Sequence, residues 1–138
     1  MINYLLDTNV ISEAIKTDPN EGVFRKLKIH QKELATASPV WHELQFGCRR
    51  LPPSRKRSKI EAFLSDVVKL TMEILPYDKA AADWHAKQRA HLAEMGCPPS
   101  FVDGQIAAIA KINQLILVTR NTSDFKCFSG LKIENWHR

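Results

Sequence analysis

The stretch INYLLDTNVISEAIK, residues 2–16, places a strand pattern directly before a helix start. Ile2 to Leu6 is short and almost wholly apolar, which is typical of a strand covered on both faces in a parallel sheet. Asp7-Thr8-Asn9 follows with three residues that favour helix N-caps, and Val10 to Lys16 is predicted to be a short helix. A strand that leads at once into a helix indicates an α/β protein.

The rest of the chain repeats this alternation of apolar runs and helical patterns. Further strands are predicted at Leu34–Thr36, Ile74–Leu75, Leu115–Val118 and, at a sheet edge, Leu131–Glu134. Helices are predicted at Glu21–His30, from a Ser38-Pro39 cap onwards, and at Ile60–Leu70, Asp78–Met95 and Phe101–Asn113, with a short turn from Asn121 to Phe125. We therefore predict a three-layer α/β/α sandwich with a mainly parallel central sheet.

Composition narrows the class of protein. A length of 138 residues predicts a single domain spanning residues 1–138. The net charge of +5 and the pI of about 9.2 favour a polyanionic partner, although many small domains are mildly basic without a functional reason. No apolar run approaches a membrane span and no signal peptide is expected, so we expect a cytoplasmic protein. Its three cysteines form no C-x-x-C pair and predict no disulfide framework.

Four acidic residues fall where helices begin, on the side of the sheet where active sites of α/β proteins lie. Asp7 follows the first strand, and Glu43 lies in the first turns of the helix after the second strand. Asp103 and Asp124 each come three residues after a residue that favours helix caps. Each acid by itself is compatible with capping, because helix N-termini favour nearby carboxylates.

The surroundings predicted for these acids argue against capping alone. Asp103 shares a helix face with Ile106, Ala107 and Ala110, the most apolar stripe of that helix. Asp7 ends an apolar strand and is also expected to be poorly hydrated. Carboxylates crowded together with little water must protonate or bind a cation, and Mg²⁺ or Mn²⁺ is the simplest hard cation for oxygen ligands.

An acidic metal site on a basic protein indicates phosphodiester chemistry. Leaving these four acids out of the count gives 20 basic against 11 acidic residues, or +9 for the rest of the chain. Such a surface attracts a phosphate backbone. A bound ion could then polarise a phosphoryl oxygen and lower the pKa of an attacking water.

The acids also stand in motifs that resemble those of VapC-type PIN-domain toxins. The motifs are LDTNVISE at Leu6–Glu13, ELQFG at Glu43–Gly47, DGQIAAIA at Asp103–Ala110 and TRNTSDF at Thr119–Phe125. They span the chain in the order and spacing of that family. The resemblance implies a PIN fold and a Mg²⁺- or Mn²⁺-dependent endoribonuclease that serves as the toxin of a type II toxin–antitoxin pair, with a small cognate antitoxin and a homodimeric state.

Site residues follow from the resemblance. It implies a catalytic quartet of Asp7, Glu43, Asp103 and Asp124. Within it, Asp7, Asp103 and Asp124 would hold the metal, and Glu43 would ligate it or orient the attacking water. Thr8, Asn9 and Asn121 are implied as supporting polar residues.

Two alternatives remain open at this stage. One is a catalytically idle PIN-fold RNA-binding domain, although a pure binder gains nothing from acids that repel phosphate at its centre. The other is a receiver-like phosphoryl-accepting domain, although Asp7-Thr8-Asn9 lacks the adjacent pair of acids that such a domain needs.

Some patterns carry no chemistry of their own. The histidines at 30, 85, 91 and 137 are expected to be exposed or half-buried rather than metal ligands. The aromatic residues Trp41, Phe46, Phe63 and Trp84 are expected in the core or a dimer interface. The segment from Arg49 to Lys59, with six basic residues and no acid, is predicted to be a loop that is either simply solvated or contacts RNA.

Overall fold

The computed structural model of the protein describes residues 1–138 and contains one five-stranded sheet. Its strands are β1 (Tyr4–Leu6), β2 (Leu34–Ala37), β3 (Glu73–Leu75), β4 (Ile116–Val118) and β5 (Ile133–Glu134). They lie in the order β3-β2-β1-β4-β5, and every neighbouring pair is parallel. The predicted α/β/α sandwich is confirmed, and the sheet is parallel throughout.

Helices connect the strands, as parallel pairing requires. They are α1 (Thr8–Glu13), α2 (Glu21–Ile29), α3 (Ser38–Arg49), α4 (Arg55–Phe63), α5 (Lys69–Thr71), α6 (Lys79–Glu94) and α7 (Phe101–Ile112). A π-helical turn, Leu64–Val68, joins α4 to α5, and a 3₁₀ turn, Thr122–Phe125, follows β4. No helix combines the length and apolar character needed to cross a membrane.

The strand order decides where a site can form. The chain adds β2 and β3 on one side of β1 and then places β4 and β5 on the other side. The connections therefore diverge between β1 and β4, whose ends are in register at Leu6 and Val118. A crevice at the carboxyl ends of strands is expected at such a point, and Asp7 directly follows β1 there.

Burial around this point is nearly complete. Leu5, Leu6, Leu117 and Val118 are fully buried, as expected of central parallel strands. Helix α7 contributes a continuous buried run from Ile106 to Ala110. This run holds α7 against the core, while Phe101 and Val102 in its first turn are exposed.

Two local predictions were wrong. The predicted loop from Arg49 to Lys59 is confined to residues 50–54, because α3 continues to Arg49 and α4 begins at Arg55. The side chain of Ser54 starts α4 by accepting a hydrogen bond from the Arg57 amide (3.2 Å). Ser38 does not cap α3: Ala37 occupies the cap position, and Pro39 lies in the first turn, where its missing amide costs nothing.

His85 is more buried than predicted, and Phe46 is more exposed than a core residue. His85 is buried, with 2% of its surface exposed. Phe46 is 54% exposed, so it does not belong to the core, and the other expectation for it, a dimer interface, stays a prediction. Phe24 on α2 is exposed as well. By contrast, Trp41, Phe63 and Trp84 pack partly buried against the core.

Candidate active site

Asp7 is the most constrained acid of the crevice. It caps α1 and is 7% exposed. Its Oδ1 accepts a hydrogen bond from the Thr8 amide and its Oδ2 accepts one from the Thr119 hydroxyl, each at 2.8 Å. The amide of Asp7 donates to the carbonyl of Val118 (3.0 Å). The carboxylate is therefore fixed by groups from both β1 and β4.

Burial sets the charge state of Asp7. Loss of hydration raises the pKa of its carboxyl, while the hydrogen bonds from Thr119 and Thr8 oppose that rise. The nearby charges of Asp103 and Glu43 raise the pKa further. The result is a pKa above the usual aspartate range, so holding Asp7 ionised costs free energy unless a cation neutralises it.

Glu43 reaches the same crevice from the second turn of α3. Its Oε2 accepts a hydrogen bond from the Thr8 hydroxyl at 2.5 Å, and its side chain remains open to solvent. Thr8 thus binds Asp7 with its amide and Glu43 with its hydroxyl. The implied supporting role of Thr8 has a clear structural basis, since this one residue holds two acids in place.

Asp103 occupies the first turn of α7 and is half-buried. Its amide donates to the Ser100 hydroxyl at 3.1 Å, so the predicted cap is present. Burial raises the pKa of the Asp103 carboxyl, the hydrogen bond with Ser100 lowers it, and the charges of Asp124 and Glu43 raise it. The resultant pKa is raised, as for Asp7.

Asp124 lies at the rim of the group. It is exposed on the 3₁₀ turn, and its charge acts on Asp103 rather than on Asp7. The side chain of Asn121 makes no cap bond, contrary to prediction. The backbone amide of Asn121 donates instead to the Thr119 hydroxyl at 3.1 Å. Asn9 supports the same region by accepting a hydrogen bond from the Arg120 amide (3.0 Å).

These acids form an open arrangement. No three Asp, Glu, His or Cys side chains are close enough to form a ready-made metal cluster. The carboxylate donors nevertheless suit a hard cation, because Mg²⁺ keeps several waters and is often held by one or two carboxylates. Asp7 is buried and Asp103 is half-buried, and a divalent ion would offset the raised pKa values of both. The donor set therefore fits a hydrated Mg²⁺ or Mn²⁺.

Sequence reasoning missed Thr119 as a site residue. It is fully buried and donates to Asp7 across 112 positions of sequence. A signal was present, because Thr119 follows the apolar run of β4 just as Asp7 follows β1. A polar residue at the carboxyl end of a buried parallel strand is a candidate for the crevice.

A cavity of about 470 Å³ opens beside Glu43. It is lined by Ser38, Pro39, His42, Glu43, Phe46, Tyr77, Val102 and Gln105. The walls come from the first three turns of α3, the start of α7 and the segment after β3. The cavity thus adds apolar, aromatic and amide groups to an otherwise acidic crevice.

His85, on α6, packs against the first turns of α7 at Gly104. Its Nδ1 lies 2.7 Å from the hydroxyl of Tyr77, and its Nε2 is buried without a hydrogen-bond partner. The imidazole packs so closely on Gly104 that a Cβ there would lie 2.1 Å from Nε2. Burial lowers the pKa of His85, and the nearby charge of Arg89 lowers it further. The lowered pKa favours the neutral imidazole, which packs against Gly104, the residue after Asp103.

The chain is similar to known proteins along nearly its whole length. The PIN domain family model matches residues 4–129. The tRNA(fMet)-specific endonuclease VapC of Shigella flexneri is 34% identical over 137 residues, covering 99% of this chain and 99% of that protein. Toxin FitB of Neisseria gonorrhoeae is 31% identical over 136 residues, covering 96% and 98%. In the crystal structure of DNA-bound VapBC from Salmonella typhimurium, a chain matches with a TM-score of 0.86 at 29% identity, covering 99% of each chain.

Proposed function

Because this chain belongs to the PIN domain family, we propose that it is a metal-dependent endoribonuclease that acts as the toxin of a type II toxin–antitoxin pair. One observation carries the proposal: Asp7 and Asp103, from distant motifs, meet in one partly dehydrated crevice, where Glu43 raises the pKa of both. The names of the similar proteins, an endonuclease and a toxin, support the activity and the biological role.

The residues divide the work of hydrolysis between them. Asp7 and Asp103, with Asp124 at the rim, would hold Mg²⁺ or Mn²⁺, which when bound supplies electrophilic assistance and a water of lowered pKa. Thr119 and Thr8 fix the Asp7 carboxylate in advance of binding. Glu43, oriented by the Thr8 hydroxyl and open to solvent, orients the attacking water and accepts its proton.

The partners follow from charge and from the similar proteins. Outside the quartet the chain carries a net +9, the excess of 20 basic over 11 acidic residues, which attracts the RNA backbone. A small cognate antitoxin would hold the toxin inactive, and a homodimer is the proposed assembly. A protein that cleaves cellular RNA and arrests growth would act in the cytoplasm.

Cleavage of RNA by the purified protein tests the activity. Cleavage should require Mg²⁺ or Mn²⁺, stop in EDTA and return when the metal is added in excess. The Asp7→Asn protein, purified in the same way, reports contaminating nuclease. Full cleavage in chelator by wild type, with none by the variant, would contradict the proposed metal dependence.

Expression in bacteria tests the role. The protein should arrest growth when produced alone and be harmless when produced with its antitoxin. Asp103→Asn should remove the arrest at an equal level of protein. Normal growth with folded wild-type protein would contradict a toxin role while leaving the nuclease assignment intact.

A further inference from the structure

We propose that Phe46 and His42 form a stacking platform for one nucleobase of the RNA, in the cavity beside Glu43. The proposal rests on the proposed function and deepens it, because it assigns a substrate subsite next to the acids. The platform's ligand would be an unstacked base of single-stranded RNA, with the flanking phosphate directed towards the acidic crevice.

The rings of Phe46 and His42 are both open to solvent. Phe46 is 54% exposed, and His42 is also exposed. They lie one helical turn apart on α3, with ring centroids 6.2 Å apart and ring planes inclined by 21°. The pair leaves apolar ring surface in contact with water, and a base stacked on it would cover that surface.

The platform adjoins the proposed cleavage site. Glu43 is the sequence neighbour of His42 and lies within one turn of Phe46, and all three line the same cavity. The Thr8 hydroxyl binds the Glu43 carboxylate at 2.5 Å, so the cavity and the crevice share a wall. A base on the platform would therefore belong to a nucleotide at, or next to, the cleaved phosphodiester.

Charge favours a nucleotide over an apolar protein segment in this cavity. The guanidinium of Arg50 lies 5.4 Å from the centroid of the Phe46 ring, forms no salt bridge and is exposed to solvent. A cation beside an exposed ring can bind the phosphate of a nucleotide whose base stacks on that ring. Ser38 and Gln105 in the cavity wall offer hydroxyl and amide groups to the polar edge of a base.

A matched pair of variants tests the platform. Phe46→Leu keeps an apolar side chain but removes the ring, and Phe46→Tyr keeps the ring. Phe24→Leu is the control, because Phe24 is 45% exposed and has Lys28 5.0 Å from its ring centroid, but lies outside the cavity. Each is made in the Asp7→Asn protein, so that binding is measured without cleavage. Thermal melting verifies that all variants are folded.

The probe is a short single-stranded RNA that the wild type cleaves, together with copies in which each nucleotide in turn is abasic. With Phe46 present, one abasic position should weaken binding about 5- to 150-fold, the range typical of base–aromatic stacking. Phe46→Leu should weaken binding of the intact RNA to a similar extent and abolish the effect of that abasic position. Phe46→Tyr and Phe24→Leu should behave like the unsubstituted protein.

Equal RNA affinity for Phe46→Leu and Phe46→Tyr, with no abasic position distinguished, would overturn the platform. The same conclusion follows if Phe46→Leu weakens only binding of the antitoxin, because the cavity would then receive a protein segment. Cleavage of the probe by the wild type is measured first. If the wild type cleaves the probe but RNA binding does not depend on Phe46, the platform alone is rejected. If the wild type does not cleave RNA, the proposed function is rejected.

Discussion

The hydroxyl of Thr119, at the end of β4, donates a 2.8 Å hydrogen bond to Oδ2 of Asp7, at the end of β1. Both groups are buried, and the same hydroxyl oxygen accepts the amide of Asn121 at 3.1 Å. Thr119 thus joins the two central strands and orients the most buried acid. A hydrogen bond that is made before the metal arrives reduces the rearrangement needed to bind it.

Thr119→Val tests that role. The substitution leaves a carboxylate oxygen and an amide without partners, so we expect a loss of about 1–3 kcal/mol in the free energy of unfolding. It should also lower Mn²⁺ affinity or cleavage by about 10–100-fold, as outer hydrogen-bond partners of metal ligands do. Titration calorimetry and a cleavage assay measure both. Thr119→Ser, which keeps the hydroxyl, should remain close to wild type. Equal losses in Thr119→Val and Thr119→Ser would contradict the role of the hydroxyl, because both variants alter the packing of the threonine side chain.

Replacement of the acids by amides separates catalysis from capping. A lost cap lowers stability by about 0.5–2 kcal/mol, whereas removal of one repelling charge relieves the apo protein. Asp7→Asn and Asp103→Asn should therefore leave the apo protein equally or more stable, yet abolish cleavage and the thermal shift from Mg²⁺ or Mn²⁺. Glu43→Gln should lose rate more than metal affinity, and Asp124→Asn should be the mildest. Wild-type cleavage by either of the first two variants would show that the site is misplaced.

The raised pKa of Asp7 also predicts a pH dependence. A carboxyl whose pKa is raised on folding contributes stability that is fully present below the pKa of the unfolded chain and is lost as pH rises through the folded pKa. Without metal, the stability advantage of Asp7→Asn over wild type should therefore be largest at neutral pH and shrink as the pH falls towards the ordinary aspartate pKa. Chemical denaturation at several pH values in EDTA measures this difference. If the stability advantage of Asp7→Asn instead grows as the pH falls, the raised pKa of Asp7 is contradicted.

Two helical glycines should respond to alanine with opposite signs. At Gly104 a Cβ would lie 2.1 Å from Nε2 of His85, while Gly47 has nothing within 4 Å of that position. We expect Gly104→Ala to cost about 1–3 kcal/mol of stability. Gly47→Ala should instead gain about 0.5–1 kcal/mol, because it only reduces the freedom of the unfolded chain. Adding His85→Ala to Gly104→Ala should restore part of the loss, and strict additivity of the two would argue against the contact.

The basic residues of α4 should differ in what they do. Arg57 is tied to Glu61 (2.8 Å) and to the carbonyl of Leu51 (3.0 Å), whereas Arg55 and Lys56 are exposed. If Arg55 and Lys56 contact RNA, their joint replacement by alanine should flatten the salt dependence of binding by about 0.7 in slope per lost phosphate contact. Arg57→Ala should lower the melting temperature and leave the slope unchanged. An unchanged slope in the double variant would make this part of α4 ordinary solvated surface.

Local patterns in the sequence were enough to predict most of the fold. The apolar run of β1 followed by Asp7, and Ser100 three residues before Asp103, each report burial or capping by neighbours along the chain. Such patterns extend over only a few residues. The strands, the helices and the position of the acids near the carboxyl ends of the strands could therefore be predicted. The main error was the prediction of a loop as far as Lys59. The side chain of Ser54 caps a helix that begins directly after the proline pair and Ser54.

The alternation of strands and helices, and the acids at the starts of helices, can thus be derived from local patterns. Which of these groups come into contact depends on how the elements pack in three dimensions. The strand order brings Thr119 into contact with Asp7. The packing of α6 on α7 brings His85 into contact with Gly104, and Phe46 on α3 is left exposed. The physical reason is that periodicity records whether a residue is buried, but not by what. Partners far apart in sequence are chosen by the order of the strands and the close packing of helices on them.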